Sequence, residues 1–271
     1  MFRIGGHASI AGSVLNALKS FEEMGANTGQ IFVHSPRVWK VPIIPEELAE
    51  QFRTENKNPL LVHASYLLNI ASTSTKLYHG SINVIKQEII QSAKLGIKHL
   101  CLHPGNNKNE QEGINQIIKA CQKLLPTLEE NNFKLCFENT SGGGGKRAYD
   151  FKEISKYFEE LGTKHFGVVL DTQHTFAAGM DWRKLKTFKE TIQSTIGFEK
   201  IEFIHLNDSK TELGSNYDRH EHIGKGKIGI QAFKELVNDP DFQKIPMICE
   251  TPIEPNYGFK ENITVVKNLI A

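Results

Sequence analysis

Eight short β-rich runs alternate with eight amphipathic stretches along these 271 residues, and that alternation constrains the fold more than any other feature. The runs are Phe2–Gly6, Gln30–Val33, Leu60–Val62, His99–Leu102, Lys134–Phe137, Phe166–Leu170, Glu202–Ile204 and Pro246–Cys249. Helical spacing is read over Ala11–Met24, Pro45–Glu55, Lys76–Leu95, Asn109–Asn131, Asp150–Glu160, Asp181–Ile196, Ile230–Asn238 and Phe259–Ile270. Strands separated by helices pair in parallel through crossover connections. Eight such units, in a chain close to the roughly 250 residues typical of the architecture, predict a (β/α)8 TIM barrel occupying residues 1–271 as one catalytic domain. An open doubly wound sheet is the alternative, but no Gly-x-Gly-x-x-Gly follows the first run. The glycine tract Gly142–Gly145 is not a Walker loop either, because Thr140 stands where its first glycine belongs and Arg147 where its Ser or Thr belongs. It reads as a flexible barrel loop.

Active sites of such barrels sit at the C-terminal rim of the strands. Six successive runs deliver a His or a carboxylate there: His63, His103, Glu138, Asp171, His205 and Glu250. Any one of them alone is more often a hydrogen-bonded structural residue, and an Asp after a strand commonly caps the next helix. Six converging together are better explained by cations, since unshielded carboxylates repel. His174 follows three residues after Asp171, and Asp218 and His220 flank Arg219 in a spacing that points both side chains one way if extended. Nine candidates exceed the needs of one ion and suit two or three at three or four ligands each.

The remaining composition is consistent with an intracellular enzyme. The formal net charge is +1, so any affinity for nucleic acid must be local or carried by metal. Cys101, Cys121, Cys136 and Cys249 show neither Cys-x-x-Cys spacing nor a disulfide framework, which predicts buried thiols and a reducing cytoplasm. The N-terminus lacks the apolar segment of a signal peptide, and no run reaches the roughly 18 residues of a membrane span, so no membrane association is expected.

The motifs His63-Ala64-Ser65-Tyr66-Leu67, His103-Pro104-Gly105, Glu138-Asn139-Thr140, Asp171-Thr172-Gln173-His174, His205-Leu206-Asn207-Asp208-Ser209, Asp218-Arg219-His220 and Glu250-Thr251 occur in one order over nearly the whole chain. In that register the sequence resembles the endonuclease IV family. The resemblance implies a trinuclear zinc site, with manganese admissible at one or more positions. His63, His103 and Glu138 would hold one ion. Glu138, shared, would join Asp171, His205 and Glu250 around a second. His174, Asp218 and His220 would hold the third. Glu138 and Glu250 would then be the catalytic carboxylates. The implied reaction cuts duplex DNA on the 5′ side of an abasic site, leaving a 3′-hydroxyl and a 5′-deoxyribose phosphate, with trimming of blocked 3′ ends. A monomer is implied as well.

The resemblance also singles out Arg37 after the second run, and Tyr66 and Leu67 after the third, as residues that enter the minor groove at the lesion. Without it, Tyr66 and Leu67 would read as cover for the next helix, as Trp39 does. Basic residues near the expected rim, Lys146, Arg147, Lys210, Arg219, Lys225 and Lys227, are candidates for phosphate contacts that the sequence leaves unassigned. Two departures stand out: Ser141-Gly142-Gly143-Gly144 where relatives carry Ala-Gly-Gln-Gly, and Val38 where they often carry Gln. A competing enzyme reading is a sugar isomerase or epimerase similar to xylose isomerase, using one or two ions at the same rim. A different class is a non-catalytic DNA-binding protein with a structural metal. Nine ligands are excessive for that, as a closed structural site takes four.

Overall fold

The computed structural model describes residues 1–271. In chain order the elements are β1 (Ile4–His7), α1 (Leu15–Met24), β2 (Gly29–Ile31), α2 (Glu46–Glu55), β3 (Leu60–His63), α3 (Thr75–Lys94), β4 (His99–Leu102) and α4 (Glu110–Glu130). They continue with β5 (Lys134–Glu138), α5 (Phe151–Leu161), β6 (Phe166–Asp171), α6 (Thr172–Ala177), α7 (Leu185–Thr195), β7 (Ile201–His205), β8 (Asp208–Ser209), β9 (His220–Glu221), α8 (Ile230–Asn238), β10 (Met247–Cys249) and α9 (Phe259–Leu269). β1 to β7 and β10 form a closed, all-parallel barrel in sequential order. The first and last barrel strands close it, pairing Ile4 with Met247 and Gly6 with Cys249. The expected TIM barrel is therefore the observed one. No helix is long and apolar enough to cross a membrane.

Strand pleating divides each run between two cores. Leu60, Val62, Leu100, Leu102, Leu135, Phe137, Val168, Leu170, Ile204, Met247 and Cys249 belong to the large core shared with the helices. The alternate residues Leu61, Cys101, Cys136, Val169, Phe203 and Ile248 form a separate small cluster, the plug inside the barrel. Apolar filling on both faces explains why the runs read as near-continuous hydrophobic segments. All four cysteines are buried and unpaired, as expected. Where helix meets strand most closely, only glycine fits: a Cβ on Gly29 would lie 2.1 Å from the Phe21 ring of α1.

The differences from the sequence reading are local. β3, β5, β6 and β7 each extend one residue beyond the expected run and take in His63, Glu138, Asp171 and His205. α1 begins at Leu15 rather than Ala11, because the chain first turns through Gly12 at φ 81°. The stretch expected to start at Asp181 starts at Leu185, and α6 is an additional helix placed directly on the end of β6. The glycine tract is a tied turn rather than a flexible one. Its four glycines hold φ between 57° and 78°, and it is bound to the loop after β4 through Asn107 N–H to Gly145 O and Arg147 N–H to Gly105 O. Trp39, expected to pack over the next helix, lies against Gly80 of α3 but keeps an exposed edge.

Candidate metal centre

Each of the six rim candidates stands two residues after a member of the inner plug. Leu61 precedes His63, Cys101 precedes His103, and Cys136 precedes Glu138. Val169, Phe203 and Ile248 likewise precede Asp171, His205 and Glu250. The period of two that points the plug inward points the next layer inward as well. The plug is apolar and almost wholly buried, so the layer above it rests on a low-dielectric floor.

Glu138 is the hub, and it has no exposed surface. Its Oε2 lies 3.0 Å from His103 Nε2 and 3.3 Å from His63 Nε2. Its Oε1 lies 2.9 Å from His205 Nδ1 and 3.3 Å from His174 Nδ1. His205 Nδ1 also approaches Glu250 Oε2 at 3.1 Å and Asp171 Oδ2 at 4.0 Å. Beside this lies a second constellation, with His174 Nε2 3.2 Å from Asp218 Oδ2 and His220 Nε2 3.5 Å from Asp218 Oδ1 and 3.7 Å from Asp171 Oδ2. All nine candidates thus converge. Four ligand-atom groups are compact enough to hold ions: His63, His103 and Glu138; Glu138, Asp171, His205 and Glu250; Asp171, His174 and His220; and, drawing on the plug below, Cys101, Glu138 and His205. The first two coincide with the partition implied by the family resemblance. The third has Asp171 where that partition has Asp218, which sits at its open edge.

The imidazoles are oriented as metal ligands commonly are, one ring nitrogen held by an oxygen and the other left to face the site. His63 Nδ1 is 2.8 Å from Ala64 O, His174 Nδ1 2.9 Å from Asn139 O and His220 Nδ1 3.1 Å from Glu250 O. His205 Nε2 is 2.8 Å from Gln30 Oε1. The facing nitrogens of His174 and His220 are buried with no hydrogen-bond partner. Orphaned buried nitrogens among buried carboxylates suit divalent cations of the zinc class, so the residues present fit such ions.

Protein charges alone leave the site under electrostatic tension. Burial opposes ionisation of Glu138, but the imidazoles of His103 and His205 hold it well below the usual carboxylate range. Burial likewise disfavours a charged His205, yet Glu250, Glu138 and Asp171 push it up to about 9. His174 is raised well above the usual imidazole value by Asp171, Asp218 and Glu138, against the cost of burial. Without metal, protons on these rings supply the positive charge that the carboxylates require.

Asp171 resolves the choice between helix cap and site residue in favour of both. Its Oδ1 accepts the His174 N–H at 2.6 Å as the cap of α6, while Oδ2 accepts from Asn207 Nδ2 at 2.7 Å and faces His205 and His220. Capping α6 is what turns His174 back over Glu138. Asp218 and His220 arrive on the β8–β9 hairpin, where Ser209 pairs with His220.

Residues that the sequence reading missed complete the centre. Gln30 of β2 donates to Glu250 Oε1 at 2.6 Å and links it to His205. His7, ending β1, lies 3.3 Å from Gln30 Nε2, and burial pushes it down to about 4, so it is neutral. Cys101 donates its thiol to Glu138 Oε2 at 3.0 Å from the plug below. His7 stands two residues after Gly5 and Gln30 two after Thr28, the same spacing as in the other six strands but without an apolar plug residue to mark it.

Above the centre opens a cavity of about 280 Å³ lined by His63, Tyr66, His103, Thr140, Lys146 and Asp218 among others. Tyr66 is 63% exposed and packs edge-on against Phe32 and His63. Leu67 beside it is half-buried, and Arg37 is exposed on the neighbouring loop. Of the basic residues expected near the rim, Arg147 is instead buried, 3.7 Å from Glu153, and is removed from the phosphate candidates.

Comparison with known proteins bears on this geometry. Residues 18–269 match the family model described as xylose isomerase-like TIM barrel. The chain is 38% identical to the probable endonuclease 4 of Thermosipho melanesiensis, covering 100% of this chain and 99% of that one. It is 35% identical to the probable endonuclease 4 of Aquifex aeolicus over 99% and 98%. Its backbone superposes on the crystal structure of endonuclease IV from Thermus thermophilus with a TM-score of 0.87 at 30% identity, over 98% of both chains. A D-tagatose 3-epimerase-like protein shares the barrel at a TM-score of 0.72 but only 17% identity, a likeness of fold alone.

Proposed function

Because this chain belongs to the endonuclease IV family of DNA-cleaving hydrolases, we propose that it hydrolyses the phosphodiester 5′ to abasic sites in duplex DNA, leaving a 3′-hydroxyl and a 5′-deoxyribose phosphate, and trims blocked 3′ ends. The observation that carries this reading is the set of overlapping ligand groups joined through Glu138 and Asp171. A site of one or two ions needs no His174, Asp218 and His220.

His63, His103 and Glu138 would hold one ion. Glu138, Asp171, His205 and Glu250 would hold a second. His174 and His220 would hold the third, with Asp218 as carboxylate. Zinc is the expected metal, and manganese is admissible at one or more positions. When bound, such ions supply Lewis acidity to a phosphoryl oxygen and lower the pKa of a water to about 7. The chain's part is placement. The two oxygens of Glu138 face opposite ligand groups and so set their separation. Gln30 and Asn207 fix Glu250, by its carboxylate and its backbone N–H respectively. The apolar plug excludes water from below, so attack comes from the cavity side. Arg37, Tyr66 and Leu67 engage the minor groove at the lesion, where a missing base lowers the cost of unstacking. One monomeric domain over residues 1–271 acts from the cytoplasm.

The test is to incubate the pure protein with a duplex carrying one abasic site, with the intact duplex, and with a ketose. Incision confined to the abasic strand, with a 3′ end that a polymerase extends, is the expected result. Ketose turnover without incision would replace this reading with a sugar isomerase or epimerase. Retention of the duplex without incision would make the protein a binding module.

A further inference from the structure

Glu88 is a buried carboxylate in the helix layer that the metal centre does not use. It lies on α3 with no exposed surface, and its side-chain partner is the buried His34. One oxygen, Oε1, meets two donors from two different loops: His34 Nε2 at 2.8 Å and the Ser65 backbone N–H at 2.9 Å. His34 opens the loop after β2 that carries Arg37. Ser65 opens the turn after β3 that carries Tyr66 and Leu67. The two loops are then stitched directly, Ser65 Oγ donating to Pro36 O at 2.8 Å and Tyr66 N–H to the same oxygen at 3.2 Å. Three positions further along α3, Gln91 accepts the Ile44 N–H at 2.8 Å and holds the far end of the first loop.

Burying a carboxyl group against an imidazole is costly, and apolar side chains of similar volume often fill such a position with little loss of stability. Here one acceptor oxygen serves two segments at a single point, which an apolar side chain cannot do. We propose that Glu88 is a positioning residue for lesion recognition, clamping the Arg37 loop and the Tyr66 turn into one rigid unit through its shared oxygen. This rests on the reading of Arg37 and Tyr66 as DNA-facing.

The test uses the full-length metal-loaded protein and two replacements. Glu88→Met combined with His34→Leu removes the clamp but keeps the volume apolar. Glu88→Gln keeps an oxygen that can accept the Ser65 N–H. The expected result for the double variant is amide hydrogen exchange at least tenfold faster over residues 35–40 and 65–67. KM for abasic duplex rises about tenfold or more with little change in kcat. Glu88→Gln restores most of both. In an Arg37→Ala/Tyr66→Ala background the double variant raises KM no further, because the groups it positions are gone. Unchanged exchange in the two loops overturns the clamp. So does a KM increase that persists in full in the Arg37→Ala/Tyr66→Ala background, or a loss confined to kcat. If exchange accelerates as expected but Arg37→Ala/Tyr66→Ala itself leaves KM alone, the clamp stands and the DNA-facing role of those residues fails.

Discussion

Replacing Tyr66 and Leu67 by alanine separates a recognition wedge from ordinary core packing. Tyr66 is 63% exposed, and its ring touches Phe32 and His63 only edge-on. Removing it should cost about 1 kcal/mol of stability, the scale of a surface change, whereas a buried aromatic costs roughly 3–5 kcal/mol. For a chain of this size that is a Tm decrease of about 2–4 °C. A ring that replaces stacking lost at a lesion contributes on the order of 1–3 kcal/mol, so affinity for abasic duplex should weaken about 5- to 150-fold. Kd is measured by fluorescence anisotropy on a duplex bearing a tetrahydrofuran abasic analogue. A Glu250→Gln background prevents incision during the titration. The bound metals and the weaker affinity for undamaged duplex should be unaltered. Unchanged affinity for the abasic duplex, or a stability loss of several kcal/mol, would refute the wedge and return both residues to the core.

Three further outcomes are expected. Elemental analysis of protein purified without chelator should give three ions per chain, mainly zinc; a fully active protein with one ion or none excludes the three-group centre. Glu250→Gln should bind abasic duplex with near-normal KM while kcat falls by orders of magnitude, since charge is lost where Glu250 meets His205 and Gln30; near-normal turnover would make Glu250 structural. In metal-stripped protein, His205 is held near 9 against an ordinary 6.5, so its contribution to stability is complete below about pH 6.5 and is lost as pH rises through 9. Thermal melts of the stripped protein should therefore fall between pH 6.5 and 9.5, and the metal-loaded protein should not follow, because its rings are already deprotonated.

The barrel was legible because its strands alternate between two apolar faces and its helices carry a clear amphipathic stripe. The convergence of the six rim candidates was legible because strand ends are fixed by that same alternation. His7 escaped notice because two glycines before it end the apparent run at Gly6, and Gln30 because it reads as the start of the run Gln30–Val33, whereas β2 is Gly29–Ile31; nor does a glutamine look like part of a metal centre. α6 was hidden because Thr172–Ala177 is buried on every side and has no polar face to betray a period. Arg147 misled because a cation next to four glycines looks exposed. Its burial depends on Glu153, six residues on in sequence, and on Glu110 from another helix. Such long-range partners are set by tertiary packing and leave no local trace.

The seam between β1 and β10 joins the earliest and latest barrel strands to leave the ribosome. Until β10 docks between β7 and β1, pairing Ile248 with His205 and Met247 with Ile4, Glu250 has no fixed place beside Gln30 and His205, and the centre lacks one of its carboxylates. Pairing over such a sequence separation is entropically slow compared with forming a local hairpin. A barrel in which β10 has not yet docked therefore presents eight of the nine converging candidates, with Glu250 missing.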